Sequence, residues 1–281
     1  MVAVLLSLLA SASWGAADFC GGFFSRRWPS LSVLLVIEAG GLITATTIVV
    51  LANDPFPDAR HALTGVAAGV AGVTALALFY RALSIGTMSI VAPISATGAA
   101  VPVAVGVATG DELTALIVVG LVLAFAGVVL AGREAAPDNP AAAGTRLVVG
   151  LSLAAALGFG LFFTLYDTAA DGSSAWAILL SRLPAVPVVA LLVRRRGLAV
   201  PRGADLYRLV GVAQLDCAAT SLYALAITRG ALSIVAVVGS LYPVMTVLLA
   251  RVVLRERVRR VQAVGVVVAF VGVALVSLGS A

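Results

Sequence analysis

The chain has 281 residues, of which 62% are hydrophobic and 11% are charged, and its mean hydropathy is +1.13. Soluble domains of this size are far less apolar, so the composition excludes a soluble protein and favours an integral membrane protein. The formal net charge of +5 arises from 18 arginines and no lysine. Because these arginines follow a topology pattern along the chain, the basic balance is no argument for nucleic-acid binding.

Ten apolar runs are long enough to cross about 30 Å of hydrocarbon. They are predicted at residues 2–24, 31–52, 62–83, 88–108, 113–132, 147–166, 175–193, 206–226, 232–253 and 261–279. The first run resembles a signal peptide, but it lacks a positively charged start and continues to Phe24, so we interpret it as a helix. Clusters of proline, glycine and charged residues separate the runs, and the longest cluster, residues 133–146, lies near the middle of the chain.

The second half of the chain repeats the first. Ser89-Ile-Val-Ala92 recurs 144 positions later as Ser233-Ile-Val-Ala236, and seven of the eleven residues in 120–130 recur 145 positions later in 265–275. Such recurrence indicates a tandem duplication. We therefore predict one all-α membrane domain made of two five-helix repeats, residues 1–138 and 139–281.

The distribution of the arginines predicts the orientation of the chain. Loops that follow odd-numbered spans hold fifteen arginines, and the other loops hold two. Positively charged loops stay in the cytoplasm, so both termini are predicted outside it. Each repeat has an odd number of helices, so the second enters the membrane inverted relative to the first. Inverted repeats are typical of secondary transporters with a substrate site near the midplane, although duplication of a membrane scaffold is an alternative.

Four ionisable residues lie within predicted spans, namely Asp18, Glu38, Arg182 and Asp216. Charges in hydrocarbon cost several kcal/mol, so each is a candidate for substrate binding or coupling. Glu38 and Arg182 are 144 positions apart and are therefore equivalent residues of opposite charge in the two repeats. We predict that Arg182 holds an anionic group, either a substrate carboxylate or Asp216, and that one acid exchanges a proton during transport. The alternative is that these charges neutralise one another and fix helix packing.

Aromatic residues and prolines supply the remaining candidates. Trp14 and Tyr242 are predicted either to wall an organic-substrate cavity or to pack between helices. The prolines within spans remove backbone donors and are either hinge candidates or tolerated kinks, and they are Pro93, Pro102, Pro184, Pro187 and Pro243. The single histidine, His61, has no neighbouring ligands, so we predict neither a metal site nor a cofactor. The residues that would form a nucleophile–base pair are also too few for an enzyme.

Three blocks of sequence resemble a known family. They are SIVAPISATGA at 89–99, SLYPVMTVLLARVVLRE at 240–256 and GVVVAFVGVALV at 265–276, and Trp14-Gly15 accompanies them. With these blocks the chain resembles the EamA-type branch of the drug/metabolite transporter superfamily. The resemblance implies a ten-helix bundle of two inverted five-helix repeats that moves small metabolites, often outward. The chain departs from the family pattern at Ala99, where a proline is usual, and at Glu38, where an arginine is frequent.

The combined prediction is a secondary transporter that works by alternating access. We expect it in the cytoplasmic membrane, exporting an amino-acid-like or amphipathic metabolite, with or without proton coupling. Its expected partners are a small-molecule substrate and the lipid bilayer, and a homodimer is left open. The alternatives are a flippase for a lipid intermediate, an uncoupled uniporter, and a scaffold subunit that transports nothing.

Overall fold

A computed structural model describes residues 1–86, 88–110, 113–131, 142–253 and 260–279 of the chain. These residues form α-helices and one 3-10 turn, with no strand among them, which confirms the predicted all-α class. The helices are α1 (Val2–Phe24), α2 (Ser30–Ala52), α3 (Ala59–Ile85), α4 (Met88–Ala96), α5 (Ala100–Thr109), α6 (Ala115–Ala131), α7 (Ala142–Gly172), α8 (Ser174–Arg182), α9 (Ala185–Arg195), α10 (Ala204–Ile227), α11 (Leu232–Gly239), α12 (Tyr242–Val253) and α13 (Arg260–Gly279).

The polarity of the bundle suits a bilayer. Within the described residues, seven helical segments are long and apolar enough to cross a membrane, and shorter apolar helices cover Ile94–Thr109 and Ala115–Gly127. Large apolar side chains such as Leu5, Ile43 and Leu157 are exposed on the outside of the bundle. The chain is therefore a multi-pass membrane protein, and the number of ten spans stays a prediction.

Three predicted spans are interrupted in the middle. The 3-10 turn Thr97–Ala99 separates α4 from α5, Leu183 and Pro184 separate α8 from α9, and Ser240 and Leu241 separate α11 from α12. Thr97 and Leu241 are 144 positions apart, so two of the breaks occupy equivalent places in the two repeats.

Four of the five prolines predicted as hinge candidates lie where a helix restarts after a break. Pro102, Pro187 and Pro243 lie in the first turns of α5, α9 and α12, and Pro184 caps α9. The first N–H groups of a helix have no partner within that helix, so proline is tolerated at these positions. These four residues therefore mark the restart of each helix and do not bend a continuous one. Pro93 lies in α4, and its side chain is outside the described part of the structure.

Side chains at helix ends fix the loop between α2 and α3. The Asp58 carboxylate accepts a hydrogen bond of 3.1 Å from the backbone N–H of His61, which caps α3 and holds the pKa of Asp58 below its usual range. Ser173 caps α8 and donates a 2.7 Å hydrogen bond to Asp54. In the turn between α1 and α2, the Trp28 indole N–H donates a 3.1 Å hydrogen bond to the Asp205 carboxylate at the start of α10.

The helices pack in a pattern that repeats itself. The third helix of the first half, α3, packs along α7, the first helix of the second half, and α10 packs along α1 in the corresponding way. The helix α2 contacts α8 and α9, and α6 packs against α13. This pairing agrees with two related halves, while their inversion and the boundary at residues 138/139 stay predictions. Glu112 and Glu256, which sequence alone assigns to helix junctions, lie outside the described residues.

Candidate functional site

A small cavity lies in the centre of the bundle, between helices of both halves. It holds about 70 Å³ of space for water-sized molecules. Its lining residues come from α1, α2, α3, α7, α8, α10 and α12, and they include all six residues predicted for substrate binding or coupling: Trp14, Asp18, Glu38, Arg182, Asp216 and Tyr242. The structure thus brings together residues that the sequence spreads over more than 220 positions.

Arg182 is the centre of a buried ionic cluster. Its Nη2 donates hydrogen bonds to the Asp216 carboxylate at 2.6 Å and to the Thr220 hydroxyl at 3.2 Å, and its Nη1 lies 3.4 Å from the Glu38 carboxylate. All four side chains are buried. The sequence predicts either a substrate carboxylate or Asp216 as the anionic partner of Arg182. The structure shows Asp216 in contact with the guanidinium, and Glu38 as a second acid beside it.

The local sequence explains how Arg182 reaches this position. It is the last residue of α8, where the partial negative charge of the helix end favours a cation. On the facing helix, a Cβ atom at Gly41 would lie 2.6 Å from Arg182 Nη1, so a larger residue would push the guanidinium out of its present position. A Cβ atom at Gly69 would collide with the carbonyl oxygen of Ser181. Two glycines therefore allow α2 and α3 to close around the end of α8.

The contact between Glu38 and Arg182 joins equivalent residues of the two repeats. Equivalent residues that touch each other lie close to the axis that relates the two halves. The Glu38 carboxylate and Arg182 Nη1 are 3.4 Å apart, so the two halves meet at this ion pair.

Asp18 differs from the other acids of the cavity. Its side chain is buried, with 7% exposure, and it has no hydrogen bond or ion pair with any residue that the structure describes. Asp216, which lines the same cavity, carries a charge of the same sign. Asp18 is therefore a buried acid on the cavity wall with no basic partner among the described residues.

Aromatic rings form much of the remaining wall. The Trp14 ring lies 5.6 Å from that of Phe163 and 5.2 Å from that of Tyr223, and the Tyr242 ring lies 6.4 Å from that of Phe159. The predictions from sequence missed Phe159, Phe162 and Phe163 of α7, which all line the cavity. The aromatic run GFGLFFTLY at 158–166 was a visible signal for them.

The fold and the cavity define a class: a multi-pass α-helical membrane protein with a charged internal cavity between two related halves. The family model described as the EamA-like transporter family matches residues 1–133 and 146–278. The chain therefore belongs to the EamA-like transporter family, as the sequence blocks predicted. This membership makes it a transporter-type membrane protein of the drug/metabolite transporter superfamily and points away from an enzyme.

Solved structures share this fold. Among them, 27 chains match, and one crystal structure of a protein has 16% sequence identity, a TM-score of 0.79 and coverage of 98% of both chains. At this identity the likeness shows the fold alone. No curated protein sequence matches the chain.

Proposed function

We propose that this protein is a secondary transporter that moves a small metabolite by alternating access, with the central cavity as the substrate site. The observation that carries the proposal is the convergence of three acids, one arginine and several aromatic rings on a cavity lined by helices of both halves. Ionisable residues inside a membrane bundle are costly and usually mark a pathway. A site between two repeats is also where such transporters bind their substrates.

The cavity is small for a metabolite site. Space of about 70 Å³ holds a few water molecules but no amino-acid-sized metabolite. Substrate entry therefore requires helices to move apart. The breaks between α4 and α5, α8 and α9, and α11 and α12 supply chain segments where a half-helix can rotate with few lost hydrogen bonds.

Polar side-chain contacts connect the helices at both ends of the bundle. In the predicted orientation, the bond between Trp28 and Asp205 lies at the cytoplasmic end. The bonds from Ser173 and the Trp176 indole to Asp54 lie at the outer end. Alternating access would open one set of contacts at a time, which is why we place gates at these two ends.

The orientation belongs to the proposal. We expect both termini outside the cytoplasm of a cell whose cytoplasmic membrane holds the protein, with export as the direction. Single cysteines introduced at Arg196 and at Asp54 in a Cys20→Ser/Cys217→Ser background test it. An impermeant thiol reagent applied outside should label the Asp54 position and not the Arg196 position. The reverse labelling would overturn the orientation. Permeabilised cells are the control, since both positions must react in them.

Transport itself is tested with purified protein in proteoliposomes. A panel of radiolabelled amino acids, amines and other amphipathic metabolites is offered with and without a pH gradient. We expect flux of at least one compound, accelerated by the gradient, and loss of about 10-fold or more of that flux in Asp18→Asn because the acid can no longer exchange a proton. The exposed Asp171 provides the matched control, since Asp171→Asn should transport like the unmodified protein.

The same assay separates the alternatives. Flux without pH dependence would support the uncoupled uniporter, and movement of a labelled lipid intermediate would support the flippase. Absence of flux for every compound, together with unchanged behaviour after each of the four buried charges is neutralised, would leave only the scaffold.

A further inference from the structure

The charges of the cavity do not balance. Among the described lining residues, Arg182 is the only basic side chain, while Asp18, Glu38 and Asp216 are acidic. Arg182 already donates hydrogen bonds to two of these acids. An anionic substrate would have to displace Asp216 or Glu38 from the guanidinium, and it would add a further negative charge to a site that already has an excess of acids.

Several polar groups of the cavity-lining residues lack partners in the described part of the chain, and the Arg182 Nε–H is one of them. The Asp18 carboxylate has no hydrogen bond or ion pair with a described residue, and the Tyr242 hydroxyl is buried without a hydrogen-bond partner in the same part of the chain. Both residues line the cavity. Buried polar atoms without partners are rare, and they indicate a ligand or water that completes them.

We propose that the cavity binds an organic monocation, a protonated amine with an aromatic or other apolar body, whose ammonium group is held by Asp18 and Tyr242. This inference rests on the proposed function and names the substrate class of the same site. The ammonium N–H groups donate to the Asp18 carboxylate and to the Tyr242 hydroxyl oxygen. The rings of Trp14, Phe159 and Phe163 face the apolar body, and rings of this kind also attract cations directly.

A proton takes the place of the amine when the cavity is empty. An isolated carboxylate in an apolar site is neutralised rather than left charged, so Asp18 carries a proton until the cation arrives. On binding, the proton leaves to solvent and the ammonium charge replaces it, so the net charge of the cavity does not change. Charged or titratable groups that face Asp18 from neighbouring helices are Asp216 on α10, Glu38 on α2, Arg182 on α8, Tyr80 on α3 and Tyr242 on α12.

The test is calorimetric titration of the intact protein in nanodiscs with three probes of similar shape. These are phenethylamine, which is a cation, 2-phenylethanol, which is neutral, and phenylalanine, which is zwitterionic. Titration in two buffers of different ionisation enthalpy measures the protons released. We expect phenethylamine to bind most tightly and to release about one proton per molecule bound, and the neutral alcohol to release none.

Two variants locate the ammonium site. Asp18→Asn should weaken phenethylamine binding about 30-fold and abolish proton release, because a charged partner is lost. Tyr242→Phe should weaken phenethylamine binding and leave binding of its N,N,N-trimethyl analogue unchanged, since that analogue has no N–H group to donate. Asp171→Asn is the control. Proton release by the unmodified protein is a readout that needs no variant, so poor folding of Asp18→Asn leaves the test intact.

The outcomes separate this inference from the proposed function. Tighter binding of phenylalanine or of the alcohol, or amine binding without proton release, overturns the substrate class even if proteoliposomes show transport. Binding of phenethylamine with release of a proton that depends on Asp18 supports the class, even if no compound crosses the membrane and the transport proposal fails.

Discussion

Arg182→Met is expected to lower the free energy of unfolding by about 3–5 kcal/mol, because it leaves Glu38 and Asp216 buried without their shared cation. For a protein of this size such a loss corresponds to a fall of roughly 10 °C in the melting temperature. Methionine matches the length of the arginine stem, so the change removes charge and hydrogen bonds with little loss of volume. Thermal unfolding in detergent, followed by the monodisperse peak on size-exclusion chromatography, measures the effect.

Two further variants show whether charge is the cause. The triple variant Arg182→Met/Glu38→Gln/Asp216→Asn removes all three charges, and we expect it to recover at least half of the lost stability, since a buried ion cluster replaced as a unit costs little. Arg202 is exposed in the loop before α10, so Arg202→Met should melt like the unmodified protein. A triple variant as unstable as Arg182→Met would show that the cavity, and not the unpaired charge, sets the cost.

Hydropathy and charge along the chain are sufficient to find the helices and the charged members of the site. Each depends on a local property: a run of apolar residues spans the bilayer, and an ionisable residue in such a run is rare enough to be conspicuous. Asp18, Glu38, Arg182 and Asp216 are therefore identifiable from the amino-acid sequence alone, and the repeat offset pairs Glu38 with Arg182.

The sequence named Asp216 as a possible partner of Arg182, but it could not predict that Glu38 also contacts the arginine and that Asp18 is left alone. That outcome depends on the rotation of each helix about its axis, and α2 is apolar on all sides, so its residue pattern does not indicate which face points inward. The breaks in the middle of three spans could not be predicted from the sequence either. Pro184 and Pro187 were visible, but whether a proline bends a helix or restarts one depends on the hydrogen bonds of the residues around it.

The phenylalanines of the cavity wall were missed for a related reason. Phe159, Phe162 and Phe163 lie on α7, where an aromatic residue in an apolar span packs against lipid or helices as readily as against a cavity. Only the packing of α7 beside α3 and α4 places these rings in the wall of the cavity that Arg182 and Asp18 also line.

Glycines at helix crossings allow close approach, and the structure shows what their replacement would meet. A Cβ atom at Gly15 of α1 would collide with the carbonyl oxygen of Tyr242 and lie 2.6 Å from Cβ of Met245. The equivalent crossing in the other half has a glycine on each partner: a Cβ atom at Gly160 of α7 would lie 2.6 Å from the carbonyl oxygen of Gly98, and a Cβ atom at Gly98, the equivalent of Tyr242, would collide with the carbonyl oxygen of Ala156. Both crossings are therefore close, and the second has small residues on both helices.

Gly15→Ala is therefore expected to destabilise the protein by about 1–3 kcal/mol, because α1 and α12 must separate at a contact between two backbones. It should also reduce transport, since Trp14 and Tyr242 on either side of this contact both line the cavity. Melting temperature and proteoliposome flux measure the two effects. Gly150 and Gly211 are helical glycines with no atom within 4 Å of an added Cβ, so alanine at either should leave both readouts unchanged or raise the melting temperature slightly. If Gly15→Ala behaved like these two controls, the close crossing of α1 and α12 would not be what holds the cavity wall in place.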